Sequence, residues 1–173
     1  MIILKTDRLF LRTWETTDLQ LAQELWGNSK VMTFIDTRGG LTEEQVIAKL
    51  DLEIECQLKN GLQYWPIFEQ QTQDFVGCCG LKPWVHSDRG GFELGFHIIQ
   101  EKWGRGYALE VAKGVISYAF TQRKLSHLMA GHHPDNLNAK KILLQLGFQF
   151  VEKVFFKPTG LMHSSYHLGT GPL

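Results

Sequence analysis

The stretch that most constrains the fold runs over residues 92–109, Phe-Glu-Leu-Gly-Phe-His-Ile-Ile-Gln-Glu-Lys-Trp-Gly-Arg-Gly-Tyr-Ala-Leu. Residues 92–99 are rich in β-branched and aromatic side chains and read as a strand. Gly104 and Gly106 then break the chain, and residues 107–120 leave the turn with helical periodicity. A strand that feeds a helix through glycines points unpaired N–H groups and the positive end of a helix dipole at one spot, with no side chains to keep an anion away. The arrangement predicts a phosphate-binding loop, with a glycine turn that merely starts a helix as the plain alternative. A Walker loop is excluded because no Gly-Lys-Ser/Thr ending follows Gly106. A dinucleotide fingerprint would need glycine where Leu109 stands and a βαβ unit near the chain start.

Charge decides how such an anion is held. Lysine plus arginine and aspartate plus glutamate balance at 18 each, so there is no global basic field for nucleic acid and any anion must be bound locally. A hydrophobic fraction of 43% and a charged fraction of 21% fit an ordinary soluble globular chain. With 173 residues and no linker-like shift in composition, one domain over 1–173 is expected. The apolar run Ile2-Ile3-Leu4 meets charged residues at once and is too short for a signal-peptide core or a membrane span. A cytoplasmic protein without a membrane partner is therefore expected. Cys56, Cys78 and Cys79 are odd in number and lack Cys-x-x-Cys spacing, so neither a disulfide framework nor a metal site is expected. They read as buried apolar thiols, the adjacent pair facing opposite sides of a strand.

Taken in order, residues 8–12 alternate polar and apolar and predict a strand with Leu9 and Leu11 on one face. Thr17 to Gln20 fit a capping box, opening a short helix with Leu19, Ala22 and Leu25 that Gly27-Asn28 closes. Thr42 and Gln45 form a second box, starting a helix with Val46, Leu50, Ile54 and Leu58 on one stripe and stopping at Asn60-Gly61. Residues 64–69 and 74–81 predict an antiparallel hairpin across the polar 70–73, and a loop around Ser87, Asp88, Arg89, Gly90 and Gly91 leads into the central strand. Beyond the central helix come a strand over 125–131, a helix over 136–146 capped by Gly147, a strand over 148–156 and a last segment at Tyr166-His167-Leu168. This order predicts an α+β domain, a mostly antiparallel sheet of about seven strands flanked by about four helices.

That order and several motifs resemble the GNAT acetyltransferase superfamily, and within it the branch that includes ribosomal-protein N-terminal acetyltransferases. Thr6-Asp7-Arg8-Leu9-Phe10-Leu11-Arg12 is similar to the branch's opening T-x-R-L-x-L-R, and Glu93-Leu94-Gly95-Phe96 to its E-L-G-Y/F. Trp103 to Glu110 is similar to its W-G-x-G-Y-A-x-E, where tryptophan replaces the Gln/Arg that opens the wider family's pattern. Pro134-Asp135-Asn136 followed by Gly147-Phe148 resembles P-x-N-x-x-S…G-F, with Ala139 in place of the usual serine.

The resemblance implies a V-shaped cleft where the strand over 92–99 splays from the strand over 125–131, holding acetyl-coenzyme A as co-substrate. It implies that pantetheine bonds the backbone of Phe96, His97 and Ile98, and pyrophosphate the N–H groups around Trp103, Gly104, Arg105, Gly106, Tyr107 and Ala108. Backbone donors need no particular side chain there. Arg105 adds charge or is merely solvated, and Trp103 reads as a packing anchor. Asn136 bonds pantetheine or simply caps its helix, with Asn138 competing for the cap. Lys140 and Lys141 reach the nucleotide or form a solvated helix face. The implied reaction is direct attack of a primary amine, on a protein N-terminus or a small molecule, upon the thioester, by a monomer or homodimer needing no metal.

Such a transfer needs a base, oxyanion donors and a fate for the thiolate. Glu93 is the first candidate base, a carboxylate tying strand to strand being its structural alternative. His97, in phase with Glu93 along the strand, is base or pocket lining. His132-His133 resembles half of an H-H-x-x-x-D motif, but Asp135 falls one residue early and no glycine follows, so the pair reads as strand-end histidines. Leu143 stands where many members carry a tyrosine acid, which leaves water or Ser164, Ser165 or Tyr166 to protonate the thiolate. The missing serine and tyrosine motivate a second reading, a noncatalytic acyl-coenzyme A binding module. A free α-amine titrates near ~8 and lysine near ~10.4, so a site with one base and no obvious acid suits α-amines. These are expected to enter over the Glu93 and His97 face, bounded by residues 33–40 and 163–166.

Overall fold

The computed structural model describes residues 1–85 and 90–169; Ser87, Asp88 and Arg89 of the predicted loop lie outside them. Strands β1 (Ile2–Lys5) and β2 (Leu9–Arg12) are followed by helices α1 (Leu19–Trp26), α2 (Ser29–Met32) and α3 (Glu43–Asn60). Strands β3 (Tyr64–Glu69), β4 (Phe75–Pro83) and β5 (Phe92–Ile98) lead to α4 (Tyr107–Thr121). The chain ends in β6 (His127–His132), α5 (Leu137–Gln145), β7 (Gln149–Phe156) and β8 (Leu161–Gly169). Among the described residues the eight strands form one sheet in the order β1-β2-β3-β4-β5-β6-β8-β7. The strand pairings among the described residues are antiparallel except that of β5 with β6, which are parallel and share a single register pair, Glu93 with Met129. Beyond it the two strands part, as the expected cleft requires.

Period-two alternation divides the strands between two cores. Leu9, Leu11, Cys79 and Leu94 lie with Val111 and Val115 of α4 on one face, while Cys78, Tyr64 and Phe68 lie with Trp26, Val46 and Leu50 on the other. The adjacent cysteines thus face opposite ways and are buried, whereas Cys56 is only partly covered.

Several local expectations are corrected. The strand count is one higher than the order predicted, because Ile2-Ile3-Leu4 finds partners on β2, and the short α2 was not anticipated. The box at Thr17 to Gln20 does not form; the reciprocal cap is between Glu15 and Asp18, around a single 3₁₀ turn, and Asp18 is drawn there because Arg12 grips its carboxylate at 2.7 and 2.8 Å. The box between Thr42 and Gln45 forms as predicted. On α3, Leu58 is 82% exposed, because at 3.6 residues per turn a strict four-residue spacing drifts by about 40° per step. The inward stripe follows Val46, Leu50 and Glu53 instead, and Gln57 then accepts the Trp65 indole N–H at 2.9 Å.

Candidate functional site

The loop before α4 takes the shape its glycines permit. Gly104 and Gly106 sit at φ +73° and +77°, in the left-handed region that side chains with a Cβ rarely adopt. Gly106 precedes the first helical residue, and the first bond of the helix runs from Glu110 N to Gly106 O at 3.1 Å. The N–H groups of Tyr107, Ala108 and Leu109 therefore have no intrahelical acceptor and aim out of the helix end. This is the arrangement that an anionic pyrophosphate fits.

The loop is pinned from two sides. Thr6 and Arg8 donate to Glu110 at 2.6 Å each, and Tyr107 Oη and Lys102 Nζ donate to Glu69 at 2.8 and 2.9 Å. The bonds from Lys102, Thr72 and Tyr107 hold the Glu69 carboxyl down to about 2. Lys102 is thereby committed, whereas the half-exposed Arg105 stays 3.9 Å from Glu69 and can swing to a phosphate. Trp103 is an anchor, its indole donating to the Ile98 carbonyl at 2.8 Å, so that carbonyl is already engaged.

Along β5 lies a cavity of about 260 Å³. It brings together Glu93, Phe96 and His97 from β5, His132 and His133 from the end of β6, and Asn136, Ala139 and Leu143 from the start and middle of α5. Phe34 and Ile35 close it from the predicted 33–40 segment, and His163 from β8. Lys140 is not among its walls; it sits with Leu137, Lys141 and Leu144 on the outer face of α5. Asn136 caps that helix, its Oδ1 accepting from Ala139 N at 3.1 Å, while Asn138 is exposed.

The sequence reading missed one side chain of this cavity wall, Tyr64. Its hydroxyl donates to Glu93 at 2.8 Å, its ring meets His97 edge-on at 5.8 Å, and Lys82 Nζ lies 4.5 Å over its other aspect. Glu53, fully buried on α3, accepts from Tyr64 N at 3.0 Å and pairs with Lys82. Burial and the Glu93 charge push the Tyr64 hydroxyl well above its ordinary range, so it remains a donor. Gly95 exists to admit this ring, since a Cβ there would stand 2.4 Å from Tyr64 Oη. Lys49 and Glu53 were legible in principle: they are charged residues on the inward side of α3, where an apolar stripe would carry none.

His97 proves a poor proton acceptor. Trp26 Nε1 donates to its Nδ1 at 3.2 Å, and burial, reinforced by the charges of Lys49 and Lys82, pushes its pKa down to about 3. His132 donates from Nδ1 to the His133 carbonyl at 2.7 Å and accepts the Tyr166 hydroxyl on Nε2 at 3.0 Å. Of the tail residues, Tyr166 thus reaches the cavity wall through His132, whereas Ser165 Oγ is buried without a hydrogen-bond partner. Among the described residues no group of three or more His, Cys, Asp or Glu is placed to hold a metal ion, and no helix is long and apolar enough to cross a membrane.

Comparison with known proteins identifies the family and the fold. The sequence profile of the acetyltransferase (GNAT) domain matches residues 8–149. An uncharacterized N-acetyltransferase of Bacillus subtilis, YoaA, is 32% identical over 148 residues, which are 85% of this chain and 82% of that protein. The crystal structure of a GNAT-family acetyltransferase from Bacillus anthracis superposes with a TM-score of 0.79 at 22% identity, covering 98% of both chains. RimL, a ribosomal L7/L12 α-N-protein acetyltransferase solved with coenzyme A, gives 0.80 at 12% identity, again over 98% of both. With the profile spanning most of its length, the chain belongs to the GNAT family of acetyltransferases and is an acyltransferase enzyme.

Proposed function

We propose that the protein moves the acetyl group of acetyl-coenzyme A to a primary amine by direct attack on the thioester, with Glu93 as the base. The observation that carries this is the position of Glu93: among the described residues it forms the single parallel register pair between β5 and β6, where the strands part, and it lines the cavity, accepting the Tyr64 hydroxyl. The N–H groups of residues 107–109 and the Arg105 guanidinium would hold the pyrophosphate, and Asn136 would meet the pantetheine arm from the start of α5. Bound acetyl-coenzyme A supplies the activated acyl group. Glu93 takes a proton from the incoming ammonium, the neutral amine attacks the carbonyl carbon, and the C–S bond breaks as the amide forms, the second proton shed by the nitrogen passing to solvent. The expelled thiolate takes its proton from solvent or from the His132–Tyr166 pair, since Leu143 and Ala139 offer none. His97, neutral and held by Trp26, orients the wall.

The acceptor is a protein N-terminus or a small amine. The lower pKa of an α-amine, near ~8 against ~10.4 for lysine, favours it at a site with one carboxylate base, and RimL acts on protein α-amines. The test measures thiol release with a peptide bearing a free N-terminus, the same peptide N-terminally blocked but carrying lysine, and an aminoglycoside. Preference for the blocked lysine peptide would reject the acceptor class. The Glu93→Gln variant is expected to lose about 10²- to 10⁴-fold in kcat; full activity across the pH range would remove Glu93 as the base.

A further inference from the structure

Two lysines line the cavity, Lys49 and Lys82, and the transferase reading uses neither; they differ in their partners. Lys49 projects from α3 into the wall formed with Tyr64, Lys82 and His97, its Nζ lying 4.9 Å over the Trp26 ring. Among the described residues it makes no hydrogen bond and no ion pair. Its neighbour Lys82 is balanced by the buried Glu53, and the nearby Arg38 by Asp36 at 2.6 Å. Burial and the Lys82 charge lower the Lys49 pKa, as expected for an ammonium with too few partners.

The Lys49 ammonium is half-buried, with the Glu53 and Asp36 carboxylates acting on it only at a distance, and the anion of a ligand would give it the direct partner it lacks. We propose that the acceptor amine carries a carboxylate, which Lys49 binds while the amine is directed to Glu93. This rests on the transferase reading and narrows it. The two charges enforce one orientation, because a substrate ammonium is repelled by Lys49 and attracted by Glu93, and its carboxylate the reverse. Size is consistent with this: a cavity of about 260 Å³, just below the range of about 300–1,000 Å³ usual for ligand sites, can take an amino acid. The cavity lining also includes the aromatic pairs Phe34 with His133 at 5.1 Å and Phe156 with His163 at 4.5 Å between ring centres, which offer a carboxylate no fixed positive charge.

The experiment compares kcat/KM for a panel of free α-amino acids, β-alanine and γ-aminobutyrate, each beside its carboxamide, with wild type, Lys49→Met, Lys49→Gln and Lys49→Arg. Thermal unfolding and acetyl-coenzyme A affinity establish that each variant is folded. The wild type should favour at least one acid over its amide by about tenfold or more, the scale of one hydrogen bond to a charged group. In Lys49→Met and Lys49→Gln that preference should vanish through a higher KM at unchanged kcat, and Lys49→Arg should keep it. Amides used as well as acids, or a preference that survives in both neutral variants, would overturn the anchor while leaving the transferase intact. A panel refused entirely by a protein that binds acetyl-coenzyme A would overturn the carboxylate-bearing acceptor. A wild type that binds no acetyl-coenzyme A would instead reject the transferase reading.

Discussion

His97 shows how far an environment can move one residue from the role its type suggests. Its ring is in phase with Glu93, yet the same burial that brings it to the cavity makes the imidazolium costly, and the Trp26 N–H occupies Nδ1. Its pKa of about 3 against the usual 6.5 means that the unfolded chain binds a proton in this window and the folded one does not. The His97 contribution is therefore fully favourable above about pH 6.5 and is lost as pH falls toward 3. In an NMR titration of the folded protein the His97 ring should remain neutral down to pH ~5, and a midpoint near the ordinary value would show that the ring is wet. The acid limb of the rate profile should accordingly survive His97→Gln.

At the scale of elements, the unit that matters is strand, loop and helix together. β5 delivers the chain to Gly104 and Gly106 in left-handed conformations, and α4 begins immediately with free N–H groups. Gly106→Ala should cost only the conformational strain, about 1–2 kcal/mol, since no atom but an Arg8 nitrogen at 3.7 Å lies near the added Cβ. Gly106→Asp adds a carboxylate beside the pyrophosphate. It should weaken acetyl-coenzyme A binding by about tenfold or more beyond the alanine variant, with the helix content kept. Calorimetry on both folded variants measures this, and equal affinities would place the pyrophosphate elsewhere. The α3 helix teaches a different lesson, because its inward side carries Lys49 and Glu53 and so serves the cavity as much as the core.

For the whole molecule, stability in acid should depend on Glu69, which joins β3 to the loop before α4. Its folded pKa of about 2 against 4.5 gives a stabilisation that is complete above about pH 4.5 and is lost as pH falls toward 2. Glu69→Gln should lower stability by about 1–3 kcal/mol near neutrality and flatten the pH dependence of thermal unfolding between those limits; an unchanged slope would mean that Lys102 and Tyr107 do not hold the carboxylate in solution. The sequence by itself determined what is local. The strand–glycine–helix unit, the box at Thr42, the stop at Gly61, the β3–β4 hairpin and the opposed Cys78 and Cys79 follow from periodicity, caps and backbone preference within a few residues. Motif order extended this to the family and its cleft. What only the tertiary structure decided is the polar interior. Tyr64 meets Glu53 and Glu93 across 11 and 29 residues of chain, Trp26 reaches His97 across 71, and Glu53 pairs with Lys82 while Lys49 has no ion-pair partner among the described residues. Such contacts are set by how strands and helices meet in space, and no local pattern records which buried charge will find a partner and which will wait for a substrate.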